Sequence, residues 1–202
     1  VLQGLSYWLA YKSNSYWQYS WGESAIVGEL CTLVSANVRN SRLDRNAWSL
    51  VLECPYERFG DRVPLEEEGR KDSADMVVGK LDEEPWGKMG RRLAEPAFVF
   101  EVKRLSRESD LRKDVLRLAK ALRRNVEGNW VAMVIVATQG AEPPPDWLDK
   151  TQSRAAANRS FFFEDDGMRA EYKVRMTAKT YLSTKRRARN WCCLLEVRPA
   201  VG

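Results

Sequence analysis

The chain has 202 residues, 44% of them hydrophobic, and a net charge of +5, so it is long enough to bury the core of one domain and is modestly basic. It contains no histidine, which excludes Ser-His and Cys-His nucleophilic catalysis, histidine metal centres and histidine general acid–base nucleases. Any hydrolytic chemistry must therefore rest on carboxylates, lysine and a hard cation such as Mg²⁺.

No apolar run approaches the roughly 18 residues that a membrane-spanning helix needs. The longest such run, WVAMVIVA at 130–137, has the length of a strand, and the first residues lack a signal-peptide layout. A cytoplasmic protein with no membrane partner is expected.

The four cysteines are Cys31, Cys54, Cys192 and Cys193, and none of them forms a CxxC pair. Neighbouring side chains on a strand point to opposite faces, so Cys192 and Cys193 cannot share one site if a strand carries them. We expect cysteines that belong to the core.

The first part of the chain gives helix signals followed by a strand. Residues 1–20 are rich in Tyr and Trp and fit one or two short helices. Residues 21–38 have apolar side chains at helical spacing, which predicts an amphipathic helix. A strand is expected at 47–54, and the polar residues 57–71 are expected to form a loop or a connection between strands.

The middle of the chain predicts two strands, a helix and a third strand. The two strands are 73–80 and 97–105, and the charged residues 81–96, with proline and glycine among them, are typical of a hairpin-type connection. A helix is expected from about 109 to 128, and the wholly apolar residues 130–138 predict a strand buried on both faces.

The last part of the chain is less regular. Residues 140–147, with three prolines, predict a stiff surface segment. Strand pieces are expected at 161–163 and 172–176, a basic helix or loop near 184–190, and a final strand at 191–197. Taken with the earlier elements, this order predicts a single α/β domain over residues 1–202, with a mixed sheet and helices on both faces.

Three charged residues stand at the ends of the two middle strands. Asp75 opens an apolar strand, and Glu101 and Lys103 close the next one, FVFEVK. Because side chains alternate along a strand, Glu101 and Lys103 project from the same face. If the two strands are neighbours, both carboxylates meet at one edge of the sheet, where they can hold Mg²⁺ beside a lysine that serves the attacking water.

An Asp at the start of one strand, a Glu-x-Lys at the end of the next, and then a helix and an apolar strand resemble the PD-(D/E)XK nuclease superfamily. The resemblance implies a restriction-endonuclease-like three-layer core, with a central mixed β-sheet flanked by helices. It also implies metal-dependent hydrolysis of phosphodiester bonds, in DNA first of all, with Mg²⁺ or Mn²⁺. Asp75, Glu101 and the backbone carbonyl of Val102 become metal ligands, and Lys103 becomes the catalytic lysine. Ala74 stands where the motif's name has proline.

The superfamily usually adds a Glu from the first helix, and two residues qualify. Glu23 falls amid the apolar stripe of Ile26, Leu30 and Val34, whereas Glu29 lies nearer its edge. A carboxylate that faces a sheet needs a partner, so we favour Glu23, with Glu29 as the alternative. A Glu in a first helical turn is also stabilised by the helix dipole alone.

The resemblance covers residues 20–138 as the nuclease-like core and leaves 139–202 as a C-terminal elaboration of the same domain. Two other carboxylates are weaker candidates for the site. Asp72 precedes the apolar run and is expected in the loop, and Glu53 belongs to the first strand.

Basic residues outside the motif are the expected DNA contacts. The strongest group lies between Tyr181 and Trp191, which fits the pattern of phosphate-binding side chains beside aromatic ones. The helix at 109–128 offers further candidates, although an exposed helix face would also carry them. The predicted nucleic-acid contacts are Lys185, Arg186, Arg187, Arg189, Arg112 and Lys113, with Arg117 on the same helix.

Two other functions compete with the nuclease. One is a nuclease-like fold without catalysis that binds nucleic acid or a partner protein. The other is a structural assembly protein, supported by the aromatic N-terminal residues Trp8, Trp17 and Trp21. A homodimer is one expected form of the nuclease.

Overall fold

The computed structural model describes residues 1–15, 22–40, 49–55, 73–85, 91–104, 108–124, 130–139, 143–149, 154–181 and 189–200. Within these ranges the chain forms three α-helices, seven strands and one short 3-10 helix. The helices are α1 (Leu2–Ser15), α2 (Glu23–Asn40) and α3 (Glu108–Arg124), and the 3-10 helix is Pro145–Trp147. The strands are β1 (Ser49–Pro55), β2 (Ser73–Pro85), β3 (Arg91–Arg104), β4 (Trp130–Gln139), β5 (Phe161–Asp165), β6 (Met168–Tyr181) and β7 (Arg189–Pro199).

The seven strands form one mixed sheet in the order β1-β2-β3-β4-β7-β6-β5. Strands β3 and β4 run parallel, and every other neighbouring pair is antiparallel. Helix α3 joins the parallel pair, as a parallel connection requires a crossover. The predicted α/β class with a mixed sheet is confirmed.

Helices cover both faces of the sheet, because the strands alternate their apolar side chains between two separate clusters. One cluster joins α1 and α2 to the sheet, and its largest members are Leu5, Leu9, Ile26, Leu30, Met76, Val102 and Ile135. The other joins α3 to the opposite face, through Leu111, Val115, Leu118, Val99, Val134, Val136 and Leu195. Each large aliphatic side chain so buried contributes about 2 kcal/mol of hydrophobic free energy.

Helix α3 is the most clearly amphipathic of the three helices. Leu111, Val115 and Leu118 repeat at the helical spacing and are at most 2% exposed. Glu108 and Asp110 stand in its first turn, where negative charge is stabilised by the helix dipole. The helix therefore turns one apolar stripe to the sheet and leaves most of its described basic residues exposed.

The cysteines lie where the sequence predicts, in or beside the core. Cys54, Cys192 and Cys193 are buried, and Cys31 is partly exposed. Cys192 belongs to the cluster under α1 and α2, whereas Cys193 belongs to the cluster under α3, so the two face opposite ways. No helix among the described residues is long and apolar enough to cross a membrane.

Two predicted elements are wrong in extent. Residues 81–96 were expected to be a connection, but β2 continues to Pro85 and β3 begins at Arg91. The prolines and glycines there predicted an early turn, whereas backbone pairing continues from Lys80–Ala94 to Pro85–Arg91. The segment 140–147 was expected on the surface, yet Trp147 is 2% exposed and packs edge-on against Tyr172. The predicted loop at 57–71 lies outside the described residues.

The C-terminal strands extend the same sheet rather than forming a separate layer. Strand β7 pairs with β4 along Ala132–Gln139, and β6 pairs with the other edge of β7. Strand β7 begins at Arg189, so the basic helix or loop expected near 184–190 is partly strand, and residues 182–188 lie outside the described part of the chain.

Candidate active site

Asp75 lies at the point where the backbone pairing of β2 and β3 ends. The last pair at this end of the ladder is Met76–Phe100, and Asp75 and Glu101 are the next residues on their strands. The N–H of Val102 donates to Asp75 Oδ2 at 2.7 Å. A side chain thus takes the place of a backbone acceptor, which fixes the Asp75 carboxylate between the two strands beside Glu101.

Glu101 and Lys103 share the face of β3 that is turned to α3. Their partners on β4 are Val134 and Val136, both of which belong to the cluster under α3. The side chain of Glu101 is 3% exposed and that of Lys103 is 20% exposed. Both charged groups are therefore largely withdrawn from solvent and need partners within the protein.

Helix α3 supplies these partners from Asp114 and Arg117. Lys103 Nζ lies 3.2 Å from Asp114 Oδ2. Arg117 Nη2 lies 2.7 Å from Glu101 Oε1 and 3.0 Å from Asp114 Oδ1, so one guanidinium nitrogen bridges two carboxylates. Asp114 is 5% exposed at its side chain and sits between the two cations.

Helix α2 closes the site from the other end through Glu23, its first residue. Glu23 Oε2 lies 3.3 Å from Lys103 Nζ, and Oε1 accepts a hydrogen bond of 3.3 Å from the backbone N–H of Arg104. Glu29 lies six residues further along the helix, about 9 Å along its axis. Of the two helix carboxylates, the structure brings Glu23 to Lys103.

These contacts form one alternating series of charges, which we call the charge chain. It runs through Glu23, Lys103, Asp114, Arg117 and Glu101, and it joins α2, β3 and α3. Burial raises the pKa of Asp114, the charges of Arg117 and Lys103 offset part of this rise, and the nearby charge of Asp75 adds to it. The Asp75 carboxylate therefore lies close enough to belong to the same electrostatic site.

Lys103 is protonated at neutral pH. Burial works to lower the pKa of Lys103, but the charges of Asp114 and Glu23 outweigh it and hold the pKa above its usual value. The lysine therefore acts as a hydrogen-bond donor and a positive charge rather than as a ready base.

The site is acidic overall and offers only oxygen donors. Four carboxylates, counting Asp75, face two cations, so the formal charge is −2 when all are ionised. Among the described residues, no group of three or more His, Cys, Asp or Glu is arranged to hold a metal ion. Mg²⁺ commonly takes only one or two protein carboxylates and keeps several waters, and the pair Asp75 and Glu101 fits that smaller demand.

The remaining candidates from the sequence are Val102, Glu53 and Asp72. Val102 contributes its N–H to Asp75, and its carbonyl stays a predicted ligand. Glu53 is exposed, with a backbone φ of 44°, between the paired residues Leu52 and Cys54 of β1. Asp72 lies outside the described residues.

The predicted DNA contacts are only partly described. Arg112 and Lys113 are exposed on α3, and Arg112 donates to the backbone carbonyl of Glu164 on β5. Arg189 is the first residue of β7. Lys185, Arg186 and Arg187 lie outside the described residues.

Sequence reasoning missed one residue of the site and misplaced another. Asp114 follows Leu111 by three positions and precedes Leu118 by four, so it lies on the apolar stripe of α3, where a carboxylate needs a partner. That signal was present in the sequence. Arg117 was expected on a DNA-binding face, but it reaches inward to Glu101.

The chain matches no family model, no curated protein and no solved structure. The resemblance to PD-(D/E)XK nucleases therefore rests on the motif residues. Any functional assignment must be argued from the chemistry of the site itself.

Proposed function

We propose that the chain is a metal-dependent nuclease with a restriction-endonuclease-like core that hydrolyses phosphodiester bonds in DNA. One observation carries the proposal. Asp75 and Glu101 lie side by side where two neighbouring strands end their pairing, with Lys103 on the same face as Glu101. Carboxylates that hold a metal ion, with a lysine beside them, can together hydrolyse a phosphodiester without histidine.

Asp75 and Glu101 would hold Mg²⁺ or Mn²⁺, with the Val102 carbonyl as a further ligand. The bound ion would polarise a phosphoryl oxygen and lower the pKa of its water. The oxygen-only donor set and the formal charge of −2 support a hard divalent ion.

Lys103 would orient the attacking water and offset the charge that develops on the phosphoryl group. Glu23 and Asp114 hold its ammonium from two sides, at 3.3 and 3.2 Å. The same two contacts keep the amine protonated, which suits electrostatic stabilisation better than proton abstraction.

DNA is the proposed substrate because the chain combines an acidic site with a basic excess elsewhere. The net charge is +5 although the site is negative. Exposed Arg112 and Lys113 stand on the same helix as Asp114. Positive side chains around a metal site hold the phosphates on either side of the scissile one.

Nicking of supercoiled plasmid tests the proposal. The wild-type chain should nick with Mg²⁺ or Mn²⁺ and stop with EDTA. Asp75→Asn, Glu101→Gln and Lys103→Ala should each lower the rate by about 100-fold or more while the protein stays folded. Arg159→Ala serves as the control, because Arg159 is exposed and pairs only with exposed Asp146 among the contacts described. Full cleavage by all three variants would contradict the assignment.

A second function is favoured by the contacts of Glu101. Arg117 already pairs with this carboxylate, and three-ligand metal clusters are absent from the described residues. A nuclease-like fold that only binds nucleic acid would have this arrangement. Such a protein would shift labelled duplex DNA in EDTA, without nicking it in Mn²⁺.

A further inference from the structure

We propose, building on the proposed function, that Arg117 is an internal counter-cation that holds Glu101 in the metal-free protein and sets the affinity of the site for divalent metal. Binding of the ion through Oε1 of Glu101 requires the guanidinium to leave that oxygen. Arg117 is thus a positioning residue for Glu101, and it makes the site weaker for metal than its carboxylates alone would be.

The burial of Glu101 is the first support. This side chain is 3% exposed, and Arg117 Nη2 approaches its Oε1 at 2.7 Å. A carboxylate withdrawn from water requires a nearby positive charge, or it would take up a proton. Arg117 supplies that charge from within the protein.

A divalent metal ion and the Arg117 guanidinium cannot both bind the same carboxylate oxygen of Glu101. A divalent ion at about 2.0–2.6 Å from a carboxylate oxygen would repel a guanidinium that donates to that oxygen. Occupation of Glu101 Oε1 by metal therefore competes with the pair between Arg117 and Glu101.

Asp114 is a second ionic partner for Arg117. The same Nη2 atom lies 3.0 Å from Asp114 Oδ1, so the guanidinium can leave Glu101 without leaving α3 or losing every ionic contact. Lys103 also pairs with Asp114, at 3.2 Å, so this carboxylate serves both cations of the site. The release of Glu101 is a short movement between two existing partners.

Mn²⁺ titration followed by electron paramagnetic resonance tests this inference, with the whole chain at low ionic strength. Arg117→Gln removes the competing charge, so it should bind Mn²⁺ about tenfold more tightly than the wild type. Arg159→Gln makes the same chemical change at an exposed position and should bind within twofold of the wild type. Adding Glu101→Gln to Arg117→Gln should abolish the gain.

An affinity of Arg117→Gln equal to or weaker than that of the wild type would overturn the inference, and so would absence of Mn²⁺ binding by every variant. If Arg117→Gln fails to fold, Arg117→Lys is tested instead. A lysine ammonium cannot bridge two carboxylates as the arginine guanidinium does, so its hold on Glu101 should be weaker. A gain of at least threefold then supports the inference, and no gain overturns it.

The nicking assay separates this inference from the proposed function. If Arg117→Gln binds Mn²⁺ more tightly but the wild type does not nick DNA, the role of Arg117 at the metal site is supported and the nuclease function is contradicted. If the wild type nicks DNA but Arg117→Gln binds Mn²⁺ with unchanged affinity, the nuclease function is supported and the role of Arg117 is contradicted.

Discussion

The described residues include two networks of ion pairs whose acids differ in burial. One is the charge chain between α2, β3 and α3. The other lies on β6 and β7, where Glu196 pairs with Arg175 and Arg198, and Glu171 pairs with Lys173. The two central acids of the charge chain, Glu101 and Asp114, are 3% and 5% exposed, whereas the acids of the second network, Glu196 and Glu171, are 14% and 23% exposed.

Burial outweighs the neighbouring cations in setting the pKa of Asp114, whereas the cations outweigh burial in setting the pKa of Glu196. Burial raises the pKa of Asp114 more than Arg117 and Lys103 lower it. Burial also acts on Glu196, but the bonds from Arg175 and Arg198 prevail and hold the pKa of its carboxyl below the usual value. The second network is thus an ordinary structural one, whereas the charge chain holds the Asp114 carboxylate at an electrostatic cost, as functional sites often do.

The largest expected effect is the loss of the bridging cation from the charge chain. Arg117→Met should lower the free energy of unfolding by about 3 kcal/mol at pH 7 in EDTA, because two buried carboxylates lose a shared partner. Denaturation with urea measures this loss. Arg159→Met should change it by less than about 0.5 kcal/mol. Equal losses in the two variants would show that burial does not distinguish the pairs.

A smaller loss is expected on the outer network. Glu196→Gln should lower the free energy of unfolding by about 1 kcal/mol at pH 7, since it removes the negative charge that pairs with two arginines. The pKa of Glu196 is depressed in the folded state, so its stabilisation is present above the unfolded pKa and is lost as pH falls through the folded pKa. Wild type and variant should converge in acid; a gap that persists at pH 2–3 would contradict this.

Asp114→Asn should show the opposite dependence on pH. The pKa of Asp114 is raised in the folded state, so ionisation costs more there than in the unfolded chain. As pH rises through the carboxyl range, the wild type should lose stability relative to Asp114→Asn, whereas it gains relative to Glu196→Gln. Urea denaturation at pH 3 and pH 6 gives both differences, and slopes of the same sign would refute the contrast.

The smallest expected effect is a difference in the labelling rates of the cysteines, which reports whether solvent reaches the core beneath α3. Burial raises the pKa of Cys193 to about 12, and this thiol packs in the same cluster as Val134 and Val136. Iodoacetamide at pH 8 should therefore label partly exposed Cys31 before Cys54, Cys192 or Cys193. Mass spectrometry of the native protein reports the order, and early labelling of Cys193 would show that water reaches this side of the sheet.

The local pattern of the sequence predicted most elements of the core. Helix α3 and strand β4 followed from an apolar stripe at helical spacing and from an uninterrupted apolar run. The position of β7 between β4 and β6 could not be predicted. The apolar sequence Trp191–Val197 indicates a strand but does not indicate which strands pair with it. Pairing partners are set by packing at long range.

The relative positions of site residues on one strand could be predicted from the sequence. The contacts that depend on how a helix packs over that strand could not. Glu101 and Lys103 share a face by the period of the strand, and their common orientation follows from sequence. The contact of Arg117 with Glu101 depends on how α3 lies over β3, which no local pattern states. Asp114 was detectable as a carboxylate on an apolar stripe, but its partners were not.

The proposed function requires that Asp75 and Glu101 hold a divalent metal ion for phosphodiester hydrolysis. Anomalous diffraction from crystals soaked in Mn²⁺ tests its structural basis most directly. We expect a peak about 2.0–2.6 Å from an oxygen of each carboxylate, with the Arg117 guanidinium moved from Glu101 toward Asp114. A soaked crystal with no peak there, and with Arg117 still on Glu101, would contradict it.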